Sequence, residues 1–242
     1  MSLLGFDTST AASAVCLLRD DGESFEVEPP VERLHEPPGH ARELMPAVDR
    51  VLRDAGVGYE DLSGIAVGIG PGTFTGLRIG LATAHGIAHA RGIPLRPVSS
   101  LAALAAGIDA DRTNGGLTPT GARTGGAGRG GALPLIDARR GELFAAVYRG
   151  GEEVEAPFVG PVEEVVARAP RGALAAGDGS IRFREALESA GIHVAPGDSR
   201  MHVVRGLHIC RLGAAAEPTP PEAVVPCYLR APDAKPSSRS GG

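Results

Sequence analysis

The stretch "LLGFDTSTAASAVCLLRDDGESFEV", residues 3–27, decides the fold. Two apolar runs are separated by the polar turn DTSTAAS, and an Asp-Gly turn leads into a third short run. That pattern predicts an antiparallel meander of three strands, because turn residues bound each run and Asp-Gly favours a hairpin. The same order returns after residue 132. Sliding the chain by 130 residues places Leu3 on Leu133, Asp7 on Asp137 and Arg19 on Arg149. Helix-like and strand-like segments follow each meander, so the chain reads as two copies of a βββαβα unit. This predicts a duplicated, two-lobed α/β protein with mixed β-sheets flanked by helices and a cleft between the lobes.

Between the meanders, "GHARELMPAVDRVLRDAG" spaces Leu44, Met45, Val48, Val51, Leu52 and Ala55 as one face of a helix that Gly56 ends. "GIAVGIG" predicts a buried strand, "FTGLRIGLATAHGIAHARG" a second helix stopped by Gly92 and Pro94, and "PLRPVSSLAALAAG" a strand and a helix start. Residues 1–110 form the expected N-terminal lobe. Residues 111–132 hold eight glycines and one large aliphatic, Leu117, too little apolar surface to offset the entropy of ordering, and read as a flexible insertion. Residues 133–232 form the C-terminal lobe, with one helix expected over "IRFREALESAG", a last helix in "VVRGLHICRLGAAA" and an arm packing back. Residues 233–242 read as a disordered tail.

The chain has 242 residues, a formal net charge of −5 and scattered basic residues. A protein that holds nucleic acid alone shows a basic stripe that displaces counterions, so RNA contact is expected only in company with a partner. Cys16, Cys210 and Cys227 are far apart and lack metal or disulfide spacing. The N-terminus has no signal-peptide pattern, and the charge-free run from Leu62 to Leu77 is too short and glycine-rich to cross a bilayer. A cytoplasmic protein without membrane contact is expected.

"GIGPGTFTGLRIG", residues 68–80, has five glycines where a strand meets a helix. Two readings fit. Backbone N–H groups at such a junction attract anions, yet neither a phosphate-loop Lys-Ser/Thr pair nor the third glycine of a dinucleotide fingerprint follows. The other reading is a tight turn with close packing: Gly76, Gly80, Ala84 and Ala88 recur every four residues and would let another backbone approach one face of the helix.

"GFDTST", "GHARELMPAVDRVL", "GIGPGTFTGLRIGLATAHGIA", "IPLRPVSSLAALA", "DARRGELFAAVY", "AAGDGS" and "PCYLRAPDA" together resemble the TsaB (YeaZ) family, over residues 1–110 and 133–234. The family serves the formation of threonylcarbamoyladenosine at position 37 of tRNA. The resemblance implies an actin-like (ASKHA) fold of two ribonuclease-H-like lobes. In that superfamily the DTST turn faces the nucleotide, which marks Asp7, Thr8, Ser9 and Thr10. The catalytic paralogue TsaD carries a pair of metal-binding histidines whose register falls here on Ser100 and Leu104, and a leucine cannot ligate a metal. The resemblance thus implies a chain with no catalytic or metal residues, pairing with TsaD, working beside TsaE as the ATPase, and meeting tRNA only through the complex. It requires no cofactor of its own; ATP or ADP is a candidate ligand at the interface shared with TsaD. The expected partner face is His40, Leu44, Val48, Val51, Thr73, Phe74, Gly76, Leu77, Gly80, Ala84 and Ala88, which pairs two copies of the chain when TsaD is absent.

Rival sites are weaker. His85 and His89 have the i, i+4 spacing of metal ligands, but Gly86 stands where a zincin helix has glutamate. His35 and His40 lack a carboxylate at fixed spacing. Asp7 and Asp137 fall in different copies of the repeat and do not make a two-metal nuclease centre. A stand-alone actin-fold ATPase or phosphotransferase, with "GDGS" at 177–180 as its second phosphate loop, is the alternative.

Overall fold

Three strands form the first meander in the computed structural model, which describes residues 2–113 and 130–230. They are β1 (Ser2–Asp7), β2 (Ala14–Arg19) and β3 (Ser24–Val27). α1 (His40–Ala55) follows, then β4 (Leu62–Gly70), α2 (Phe74–Arg91), β5 (Leu95–Ser99) and α3 (Ser100–Thr113). β1 runs antiparallel to β2 and parallel to β4, giving the sheet order β3-β2-β1-β4-β5. Both α1 and α2 end where expected, at Gly56 and Gly92, whose φ values of 65° and 64° suit glycine. Of the Gly-rich 111–132 segment and the 233–242 tail, residues 114–129 and 233–242 lie outside the described residues; α3 itself runs on to Thr113.

The second half repeats the plan with β6 (Ala132–Arg139), β7 (Glu142–Arg149), β8 (Glu152–Pro161), α4 (Val162–Arg168), β9 (Leu174–Ala176), α5 (Asp178–Arg182), α6 (Arg184–Ser189), β10 (His193–Val194) and α7 (Gly206–Ala215). Its sheet order, β10-β9-β6-β7-β8, is the first order again, with β6 in the place of β1. Two mixed sheets of identical topology, flanked by helices, make this an α/β, actin-like fold. The one helix expected over 181–191 is instead two short ones that meet at Phe183, and it begins earlier, at Asp178.

α1 and α2 cover one face of the first sheet, where Leu44, Val48, Val51 and Leu81 meet Leu4, Phe6, Val15 and Leu17. α7 packs against β1, β2 and β4. α3 lies against β6 and α7, so Leu101, Leu104 and Ile108 share a core with Ile136, Phe144 and Ile209 that joins both halves. The C-terminal arm then returns across both sheets. Cys227 N–H donates to the Ile69 carbonyl (2.8 Å), and Arg230 donates to the Ala138 carbonyl (2.9 Å) and pairs with Glu142.

Candidate partner face and inter-lobe cleft

The glycine-rich junction is built around the first loop of the chain itself. After β4 the backbone turns at a cis Gly70–Pro71 bond and enters α2. Thr73 N–H donates to the Ser9 carbonyl (2.8 Å), and a Cβ on Gly72 or Gly76 would run into the backbone of Ser9 or Thr8. Only glycine allows so close an approach. The packing reading of this junction therefore holds, with a partner that differs from the expected one: the DTST loop rather than another helix.

Asp7, Thr8, Ser9 and Thr10 are all buried, with 2 % exposure or less. Asp7 Oδ1 accepts from Ser9 N–H (2.7 Å) and Ser9 Oγ (2.6 Å), while Oδ2 accepts from Ser100 Oγ (2.5 Å). Thr8 Oγ1 donates to the Gly76 carbonyl (2.8 Å). In this structure these side chains are engaged inside the lobe and lie against Gly72–Gly76. Ser100 and Leu104, the positions of the paralogue's histidines, hold the Asp7 carboxylate and fill the core at 0 % exposure.

The expected partner face needs a similar correction. His40, Leu44, Val48, Val51, Gly76, Leu77, Gly80, Ala84 and Ala88 are all buried in the chain's own fold. The reason is the packing just described: the apolar stripe of α1 and the small stripe of α2 press against the first sheet and its loop. His40 Nδ1 lies 2.8 Å from Ser13 Oγ, and burial pulls its imidazole below the usual histidine range, opposed by the Asp7 carboxylate and the Thr10 backbone. Of the expected set, Phe74 is exposed (46 %) and Thr73 half-buried.

What the helices do leave open lies on the opposite side of α2. Thr75, Ala82, Gly86 and Ala90 are exposed and Ile79, Thr83 and Ile87 half-buried. Thr75, Ile79, Ala82, Thr83, Gly86 and Ala90 fall within one stripe at 100° per residue. A Cβ on Gly86 would meet nothing within 4 Å. Beside this stripe, Ala41 and Met45 of α1 are exposed, and a hollow of about 460 Å³ lies between the first turns of the two helices. The sequence signal for it was present: α2 is apolar around most of its circumference, and a helix of that kind packs on two sides.

His85 Nε2 lies 3.2 Å from the Val224 carbonyl, His89 is exposed, and no group of three metal-ligating side chains occurs among the described residues. Among those residues no helix is long and apolar enough to cross a membrane.

A cleft of about 620 Å³ opens between the halves, walled by Gly72–Thr75, by the β6–β7 turn with Asp137, Arg139 and Arg140, and by the arm at Cys227–Arg230. At its rim Arg78 sits 3.6 Å over the Phe74 ring and donates to the Tyr228 hydroxyl (3.2 Å), and the Phe74 and Tyr228 centroids are 5.5 Å apart. Asp137 Oδ2 accepts from both Arg182 (2.8 Å) and Arg139 (3.2 Å). Behind it Asp178 accepts from Asp137 N–H (3.0 Å), and burial pushes its carboxyl up to about 6. Tyr228, Arg78 and the β6–β7 arginines belong to no site that the sequence reading marked.

The chain is similar to several known proteins. A family model described as tRNA N6-adenosine threonylcarbamoyltransferase (TsaD) matches residues 37–175. An uncharacterized protein of Mycobacterium leprae is 36% identical over 165 residues, which is 67% of this chain and 40% of that protein. The tRNA threonylcarbamoyladenosine biosynthesis protein TsaB of Bacillus subtilis is 30% identical over 243 residues, spanning 97% of this chain and 96% of the relative. The solved structure of YeaZ from Pseudomonas aeruginosa is similar at a TM-score of 0.71 and 28% identity, covering 94% of this chain and all of that one.

Proposed function

This chain belongs to the TsaB (YeaZ) family, and we propose that it is the non-catalytic subunit that docks TsaD through the outer stripe of α2 and the first turns of α1. Its role is in tRNA threonylcarbamoyladenosine biosynthesis. The observation that carries the docking reading is the second apolar face of α2, which the chain's own sheet leaves uncovered. Small residues along it let a partner helix come close, and an apolar face of this length is a surface for another protein. Ser100 and Leu104 support the non-catalytic half of the reading, since one is spent on Asp7 and the other lies in the core.

In this account TsaE supplies the ATPase, tRNA is met by the assembled complex in the cytoplasm, and the same α2 face pairs two copies when TsaD is absent. Any ATP or ADP at the shared interface is held by groups other than Asp7–Thr10. The burial of Asp7–Thr10 within the lobe supports the docking reading over a stand-alone phosphotransferase.

Ala82→Arg and Gly86→Leu place bulk on the outer stripe without touching the chain's interior. Sedimentation with TsaD is expected to show each variant binding at least ~10-fold more weakly at an unchanged melting temperature. Binding equal to wild type in both variants would put the interface elsewhere.

A further inference from the structure

Two long helices of the first half begin at one hollow with no side chain to cap them. α1 and α2 run for 16 and 18 residues, and the first turn of each lines the hollow of about 460 Å³ between them. First-turn N–H groups have no partner inside their own helix and carry the positive end of its dipole. Gly39 has no side chain to offer them. Thr73, a residue type suited to capping, makes no such bond.

Side-chain atoms at the same hollow are unpaired as well. His40 is only 2 % exposed, and Ser13 Oγ lies 2.8 Å from its Nδ1, yet Nε2 on the far side of the ring has no hydrogen-bond partner among the described residues. Thr73 Oγ1 is likewise buried without one. Both residues line the hollow. A buried polar atom left unpaired is destabilising, so two of them beside two uncapped helix starts point to an acceptor that arrives from outside the chain.

The surroundings set the charge of that acceptor. Burial holds the His40 imidazole below the usual histidine range, which makes it a neutral donor at pH 7. Among the described residues that line the hollow, Arg42 alone is cationic; it is exposed and makes no ion pair there. Arg33 behind it is taken by Glu36 and Glu43, and the Asp7 carboxylate acts on the His40 ring. One free cation with two carboxylates nearby suits a single negative charge and disfavours a phosphate dianion.

We propose that the hollow receives the carboxylate of an acidic side chain on the protein that docks against the outer stripe of α2. Its oxygens accept from His40 Nε2–H, from the Thr73 hydroxyl and from first-turn N–H groups, while Ser13 Oγ donates to His40 Nδ1 and Arg42 balances the charge. The inference rests on the docking reading and names the chemistry of the residue that enters. Thr75 and Ile79 belong to both the stripe and the hollow, so a helix lying on the stripe brings a side chain to this place.

The test is TsaD binding by variants of the full chain. Thr73→Val removes the hydroxyl and keeps the shape. Because Oγ1 bonds nothing in the free chain, its melting temperature is expected to stay or rise while TsaD binding weakens about 10-fold, as for a lost hydrogen bond to a charged group. Arg42→Gln is expected to weaken binding and to flatten its dependence on salt. Replacing acidic surface residues of TsaD one at a time by their amides identifies the acid: its loss of affinity is about 3-fold or more smaller against Thr73→Val than against wild type, the coupling of a direct contact. Absence of any such acid, or wild-type affinity in both folded variants, would overturn the proposal. So would saturable binding of inorganic phosphate or ATP to the free chain that Thr73→Val and Arg42→Gln abolish, since the hollow would then be a phosphoryl site. Docking lost by Ala82→Arg but unchanged by the hollow variants fails this proposal alone, whereas no TsaD binding by the wild type fails the docking reading and this proposal with it.

Discussion

Gly76 and Gly86 lie ten positions apart on one helix and have opposite surroundings. A methyl group on Gly76 would strike the Thr8 carbonyl, whereas on Gly86 it meets open space. Gly76→Ala is therefore expected to cost about 3 kcal/mol by overpacking against backbone that cannot yield. Gly86→Ala, at an exposed helix interior, is expected to gain up to ~1 kcal/mol from helix propensity. Urea denaturation measures both; equal effects would refute the assigned faces. Asp178 gives a second prediction at this scale. Its folded-state carboxyl, raised by burial, releases its proton only at about 6 instead of 3.8. Between those values the folded state holds a proton that the unfolded state has lost, so this group's contribution to stability declines as pH rises through the window. Asp178→Asn keeps an acceptor for Asp137 N–H and removes the titration. The stability of the variant relative to wild type is expected to rise by on the order of 3 kcal/mol from pH 4 to 6, measured by paired denaturation curves; a constant difference would contradict it.

At the scale of elements, the sequence announced the helices and strands more plainly than their orientation. Gly56 and Gly92 mark the ends of α1 and α2 because a left-handed residue closes each helix. Which side of α2 faces inward was not legible, since small residues recur on both: Gly76, Gly80, Ala84 and Ala88 on one, Thr75, Ala82, Gly86 and Ala90 on the other. The first stripe meets the DTST loop because that loop reaches over it, a contact across 68 positions of sequence that no local pattern encodes. The same distance hid the closure of Asp7–Thr10. It also hid the cluster at the cleft rim, whose Arg78–Tyr228 bond spans 150 positions. Leucine at Gly76 or Gly80 therefore cannot report on docking, because such variants fail in the core first. The pair Ala41→Glu with Met45→Glu, on the outer face of α1, is expected to lose TsaD binding and self-association together while circular dichroism and melting temperature stay as wild type. Retained association would move the interface off α1.

For the whole molecule, the duplication was readable because both meanders carry the same order of apolar runs and turns, and the two sheets share one strand order. What lies between them was not. α3 and α7 are shared by the cores of both halves, and the arm ties the end of β4 to the β6–β7 turn. The halves are therefore expected to unfold together. Buried histidines make that unit sensitive to acid: burial lowers His40 and His202 and brings His208 down to about 4. Below 6.5 the unfolded chain takes up protons that these folded sites refuse, so their contribution is lost as pH falls from 6.5 towards 4, against the slope of Asp178. His208→Asn is expected to reduce the fall in melting temperature over that range; an unchanged slope would show that His208 is not held neutral.

Threonylcarbamoyl transfer to tRNA, reconstituted from TsaD and TsaE with and without this chain, is the direct measure of whether it is a docking subunit. Turnover is expected only when TsaD and the chain are both present, with Ala82→Arg as poor as omission and the chain alone inactive. Transfer by the chain without TsaD, or full turnover by TsaD and TsaE without the chain, would contradict the account.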